Sequence, residues 1–145
     1  MNKVIGLDLG TKTLGIAKSD VLGFVHGVET FRFPFKQYIV ARQHVLDVVK
    51  EIGTKEIALG YPLHLNGENS EMSQTVIRFR DDLLAMDPTL DIHLVDERLS
   101  SVTANQNISD RGMNHEQRKQ NVDKIAACII LDTYIRTKEN NNGNR

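Results

Sequence analysis

The chain has 145 residues, 40% of them hydrophobic, with 18 lysines and arginines against 19 aspartates and glutamates, a formal net charge of -1. That size suits one domain around one core, burying roughly two-thirds of its unfolded surface without staples. The single cysteine, Cys128, excludes a disulfide framework or a thiolate metal cluster and fits a reducing, cytoplasmic setting. No apolar run approaches the roughly 20 residues of a membrane helix, so no membrane partner is expected, and the N-terminus runs straight into a strand rather than a signal peptide. Near-neutral charge neither supports nor excludes a nucleic-acid partner, because an acidic cluster and a basic rim cancel in the sum. Arg111, Arg118, Lys119 and Lys124 form such a basic group.

Residues 3–9, KVIGLDL, read as a strand that ends in the turn Gly10-Thr11-Lys12-Thr13. Residues 14–19 resume as a second strand, and a third, irregular one falls between Val21 and Phe33, so the fold opens with an antiparallel meander. Past Pro34 the period changes. Tyr38, Ala41, Val45, Val48 and Val49 recur at helical spacing, with Gly53 as the stop. Residues 56–60 form a short strand, and a polar loop, His64 to Asn69, leads into a helix over about 70–86. Its apolar face is Met72, Val76, Phe79, Leu83 and Met86. Residues 90–95 alternate in period two and run into Asp96-Glu97-Arg98. A short helix from Ser100 or Ser101 to Asp110 follows, then a last helix over about 115–137. The order predicts an α/β domain over residues 1–138: a five-stranded mixed sheet, a three-strand meander followed by two parallel strands, with helices packed against it. Residues 139–145 read as a flexible polar tail.

Three acids stand where acids are costly. Asp8 lies near the carboxyl end of an apolar strand between Leu7 and Leu9, and Asp96 and Glu97 follow the strand at 90–95. Ligand sites of open α/β sheets lie outside the carboxyl ends of the strands. Spacing does not decide whether Asp96 or Glu97 points inward. Asp123 shares a helical face with Ala126, Ala127, Ile130 and Tyr134, small residues that let the helix approach the sheet. Each acid alone also reads as a structural residue: Asp8 bonded to turn amides, Glu97 exposed in a turn, Asp123 near a helix start. Together they suggest a cluster for magnesium or manganese, two ions about 4 Å apart, where water is activated and a leaving oxygen stabilised. Without metal, mutual repulsion is expected to raise at least one pKa. The turn 10–13 offers amides and hydroxyls, Thr13 included, to a phosphate; it also reads as a plain hairpin turn. It is neither a GxxxxGK[ST] loop nor a GxGxxG loop.

Four segments, IGLDLGTKTLGIAKSD at 5–20, EIALGYPLHLNGENS at 56–70, VDERLSSVTAN at 95–105 and RKQNVDKIAACIILDTYI at 118–135, resemble the bacterial pre-16S ribosomal RNA nuclease family. That family is also described as Holliday-junction-resolvase-like, within the ribonuclease-H-like superfamily. The resemblance implies a ribonuclease-H-like fold with helices on both faces, and catalytic, metal-binding acids at Asp8, Glu97 and Asp123, which is the ground for preferring Glu97 over Asp96. A GxPLxxxG loop matches at Gly60, Pro62, Leu63 and Gly67, and would lie near the site. Arg98 would contact phosphate or brace its turn. Thr13 stands where the family commonly has a basic residue, and Asp132 where it has a glutamine.

The resulting expectation is a metal-dependent endonuclease with Lys12, Arg98, Lys119 and Lys124 as candidate phosphate contacts. His64, His93 and His115 are possible proton carriers that nothing aligns. The resemblance implies 5′-end maturation of pre-16S ribosomal RNA, with pre-ribosomal particles as partner, or cleavage of four-way DNA. A ribosome-assembly factor that binds nucleic acid without cutting it, and an ATPase-like or sugar-kinase-like module, are the alternatives from other classes. Monomer and homodimer both stay open.

Overall fold

A computed structural model describes residues 3–63, 70–99 and 115–143, with side chains described except at 99, 115–123 and 141–143. Five strands, β1 (Ile5–Leu9), β2 (Thr13–Ser19), β3 (Val25–Arg32), β4 (Glu56–Tyr61) and β5 (Asp91–Asp96), form one sheet in the order β3-β2-β1-β4-β5. β1 pairs antiparallel with β2, and β2 with β3; β4 runs parallel to both β1 and β5. This is the expected ribonuclease-H-like mixed sheet. Helices α1 (Tyr38–Ile52) and α2 (Glu71–Met86) supply the crossovers, and α3 (His115–Gly143) closes the domain. Between Ile16 and Ala17 the β2–β3 register slips, so that β3 carries Val28 as an extra residue.

Local chemistry marks the helix limits. Ser70 caps α2: its hydroxyl accepts the Ser73 N–H at 2.9 Å, and the Ser73 hydroxyl accepts the Ser70 N–H at 2.8 Å. Gly53 ends α1 in the left-handed conformation at φ 81°, with its N–H on the Val49 carbonyl. One side chain and one boundary differ from expectation. Met86, the last residue of α2, is exposed rather than part of its apolar face. The last helix continues past 137 to Gly143, beyond the expected boundary, although Asn140, Asn141, Asn142 and Gly143 are poor helix formers. The expected helix at about 100–110 lies outside the described residues. No helix among the described residues is long and apolar enough to cross a membrane.

The sheet is buried on both faces, and the two faces differ in grain. Ile5, Leu7, Leu9, Leu14, Ile16, Ile57 and Leu59 pack with Val45, Val76, Phe79 and Leu83 of α1 and α2. The other face carries Val4, Ala17, Ala58 and Val95, against Ala127, Ile130, Leu131 and Ile135 of α3. Small residues there let the helix backbone come close. A Cβ built on Gly6 would lie 2.7 Å from Leu131 Cβ and 2.8 Å from the Ala127 carbonyl oxygen, neither of which can swing aside. Replacing Gly6 with alanine is therefore expected to destabilise the fold by about 1–3 kcal/mol through overpacking, read as a lower urea midpoint with an unchanged denaturant slope.

Candidate active site

The period of two along a strand decides which side chains reach the α3 face. On β1 these are Gly6 and Asp8; on β4, Ala58 and Gly60; on β5, Val95, with Glu97 two residues on in the 3-10 turn Glu97–Leu99. The β1–β4 ladder aligns Gly6 with Ala58 and Leu7 with Leu59, so continuing the register sets Asp8 beside Gly60. Gly60 in turn pairs with Val95. Asp8 and Glu97 thus approach from either side of β4, at the carboxyl ends of the parallel strands.

Their carboxyl groups meet: the Glu97 side chain hydrogen-bonds Asp8. β1 and β5 are not neighbours; β4 lies between them. The contact exists because β4 contributes no side chain between them. A Cβ on Gly60 would stand 2.7 Å from Glu97 Oε1 and 2.6 Å from Ile130 Cδ1. The Glu97 carboxylate and a methyl from α3 share the space that any larger residue would fill. The sequence put Gly60 in a loop near the site but did not show that it makes room for Glu97. Its signal was a glycine at the end of a strand flanked by two acid-bearing strands.

Burial, and then the negative charge of Asp96, push the Glu97 pKa up, against the Asp8 hydrogen bond that lowers it. Two carboxyl groups in contact need a proton or a cation between them. The adjacent acid has another role. Asp96 accepts Arg98 Nε at 3.0 Å and Arg98 Nη2 at 2.6 Å, along with the Arg98 backbone N–H at 2.9 Å. That partner holds the Asp96 pKa low. The ambiguity between Asp96 and Glu97 is resolved by geometry: Glu97 turns in over Gly60 and Asp96 turns out to Arg98, which braces the turn.

Of the other expected residues, Lys12 is exposed on the β1–β2 turn, while Thr13 is buried and closes that turn, its carbonyl accepting the Gly10 N–H at 2.8 Å. Lys124 lies over β3, its Cβ 3.7 Å from where a Gly27 Cβ would stand. Gly27 pairs with Ala17, and Ala17 with Gly6, so Lys124 sits two strands from β1, roughly 10 Å to the side. It is not brought to Asp8. Position 123 falls within α3 near its start. The side chains of Asp123, Lys119 and His115, and residues 64–69 with His64 and Gly67, lie outside the described residues. His93 is at the far end of β5, where its Nε2 meets Asp91 Oδ1 at 2.9 Å.

The donor set at Asp8 and Glu97 fits a hard divalent cation. It offers carboxylate oxygens, those of Glu97 partly desolvated, in a gap kept open by Gly60. A second grouping, Glu56, Asp91 and His93, lies at the amino ends of β4 and β5, away from these acids.

A family model described as "RuvX: Holliday junction resolvase" matches residues 2–137. A relative from Staphylococcus aureus, named "Putative pre-16S rRNA nuclease", is 30% identical over 135 residues, covering 92% of this chain and 95% of its own. Among solved structures, Thermus thermophilus RuvC superposes with a TM-score of 0.57 at 14% identity, covering 94% of this chain and 97% of that one. RuvC in complex with a Holliday junction superposes with a TM-score of 0.56 at 12% identity. At such identity the likeness is one of fold.

Two expectations follow from the geometry. Gly60→Ala displaces the tips of two flexible side chains, so its stability cost stays within roughly 1–2 kcal/mol. Magnesium affinity, measured by calorimetry, should fall well beyond what that small loss explains. The second concerns pH. A carboxyl whose pKa is raised on folding favours the fold below its unfolded pKa and loses that contribution as pH rises through the folded value. The metal-free protein should lose urea resistance between about pH 4.3 and neutrality, and Glu97→Gln should flatten that decline.

Proposed function

The chain belongs to the RuvX family, and from that premise we propose that it is a metal-dependent endonuclease that hydrolyses phosphodiester bonds at Asp8 and Glu97, with pre-16S ribosomal RNA as its substrate. The observation that carries this reading is the meeting of two carboxyl groups over Gly60 at the carboxyl edge of the sheet. Two half-buried carboxyl groups in contact repel when both are ionised, and a divalent cation between them relieves that repulsion. Asp8, Glu97 and Asp123 would hold magnesium or manganese, two ions in this reading. When bound, the metal activates the attacking water and neutralises charge on phosphate and leaving oxygen.

The chain's own groups do the rest. Glu97 would give a carboxylate oxygen to the cation, whose charge would offset the cost of burying that carboxylate. Gly60 keeps the space between the acids clear. The Asp96–Arg98 pair holds the turn that aims Glu97 inward, while Lys12 projects from the neighbouring turn, where a phosphate backbone would pass. Water adds to phosphorus, the P–O ester bond breaks, and the products are a phosphate monoester and a free hydroxyl.

The substrate choice rests on the name of the Staphylococcus aureus relative; in this reading the protein works on pre-ribosomal particles in the cytoplasm. Four-way DNA is the second reading, favoured by the family model's description. One matched panel tests both: pre-16S RNA, unrelated single-stranded RNA and four-way DNA, each with magnesium or manganese. Pre-16S RNA should be cut near its 5′ end, and Asp8→Asn should reduce cutting to background with folding and RNA binding retained. Cutting of the DNA junction alone would favour the second reading. Cutting that survives Asp8→Asn in pure protein would remove the site from consideration.

A further inference from the structure

The opposite end of the sheet carries ligand-type side chains that the nuclease reading does not use. Glu56 opens β4 and Asp91 opens β5, and the ladder pairs them directly. His93 follows Asp91 by two residues and so projects from the same face. One ligand atom from each of the three lies within 4.8 Å of the others. Donors at 2.0–2.2 Å from one tetrahedral ion are separated by roughly 3.5 Å, so small side-chain rotations complete the set.

The ligands are already oriented. The Tyr134 hydroxyl donates to Glu56 Oε2 at 2.5 Å, and Lys138 Nζ donates to the same oxygen at 2.7 Å. Oε1 of Glu56 meets no donor among the described residues. The His93 ring is held 5.1 Å from the Tyr134 ring, tilted by 36°. Such outer contacts are what position metal ligands. A cavity of about 500 Å³, lined by Glu56 and Asp91 with Lys3, Thr54 and Lys55, opens onto both carboxylates and admits water and ions.

We propose that Glu56, Asp91 and His93 form a second cation site, for a zinc-class divalent ion, distinct from the carboxylate centre at Asp8 and Glu97. The donor chemistry separates the two. One imidazole nitrogen with two carboxylates suits zinc, cobalt or nickel, whereas an oxygen-only set suits magnesium. The ion bridges β4 and β5 and, through Tyr134 and Lys138 on Glu56, reaches α3. It is a clamp at the end of the sheet away from the chemistry. Lys138 is its competitor, because it already supplies a positive charge to Glu56.

The test is calorimetric titration of zinc chloride alone into the metal-stripped full chain, with thermal melting in parallel. The wild type should bind zinc and melt at higher temperature with it. His93→Ala and Asp91→Asn should weaken that binding by at least about tenfold and abolish the thermal shift. Lys138→Ala should tighten it several-fold, a gain that loss of a merely structural ion pair would not give. Glu97→Gln should leave this event unchanged, which separates it from the nuclease centre. Circular dichroism checks that each variant folds. Zinc binding indifferent to His93→Ala, or absent below millimolar concentration, would overturn the proposal.

Discussion

Asp8 and Glu97 stand on strands that do not touch. With neighbouring strands 4.7–4.9 Å apart, side chains separated by an intervening strand begin roughly 10 Å from one another. They meet because β4 places Gly60 between them and because Glu97 lies just beyond its strand, where the 3-10 turn brings it back over the sheet. The rest of the site follows from that gap. It admits the tip of Ile130 as well as the Glu97 carboxyl. Partial burial raises the cost of the Glu97 charge, and that cost is what makes a cation welcome there.

The gap is one instance of a wider division between the two faces of the sheet. Large aliphatic residues face α1 and α2 and supply most of the buried apolar volume. Glycine and alanine at positions 6, 17, 27, 58 and 60 face α3, where Ala126 and Ala127 answer them. Bulk on one face supplies stability, and its absence on the other lets a helix bring its own side chains down to strand level.

Much of this could be read in the sequence, for identifiable reasons. The meander, both crossover helices and the parallel pair follow from periodicity and from glycine and proline punctuation, which are local signals. The burden of an acid inside IGLDL was equally local. The choice between Asp96 and Glu97 was not, because neighbours at a strand end point to opposite sides and only the Asp96–Arg98 bond settles which is which. Gly60 was visible as a turn glycine, yet its use depends on which strands flank it, a tertiary fact. The same holds for Glu56, Asp91 and His93, whose convergence needs the Glu56–Asp91 register of two strands 35 residues apart.

The slipped register between β2 and β3 has a consequence for life in a crowded solution. β3 is an outermost strand, with one row of backbone groups unclaimed by the sheet. An unbroken strand in that position is a template onto which another chain can zip, the first step towards amyloid-like stacking. The extra residue at Val28 interrupts the row and increases the local twist, while His26, Glu29 and Arg32 put ionisable groups along it. The irregularity that makes β3 hardest to read as a strand thereby keeps this open border from recruiting other chains.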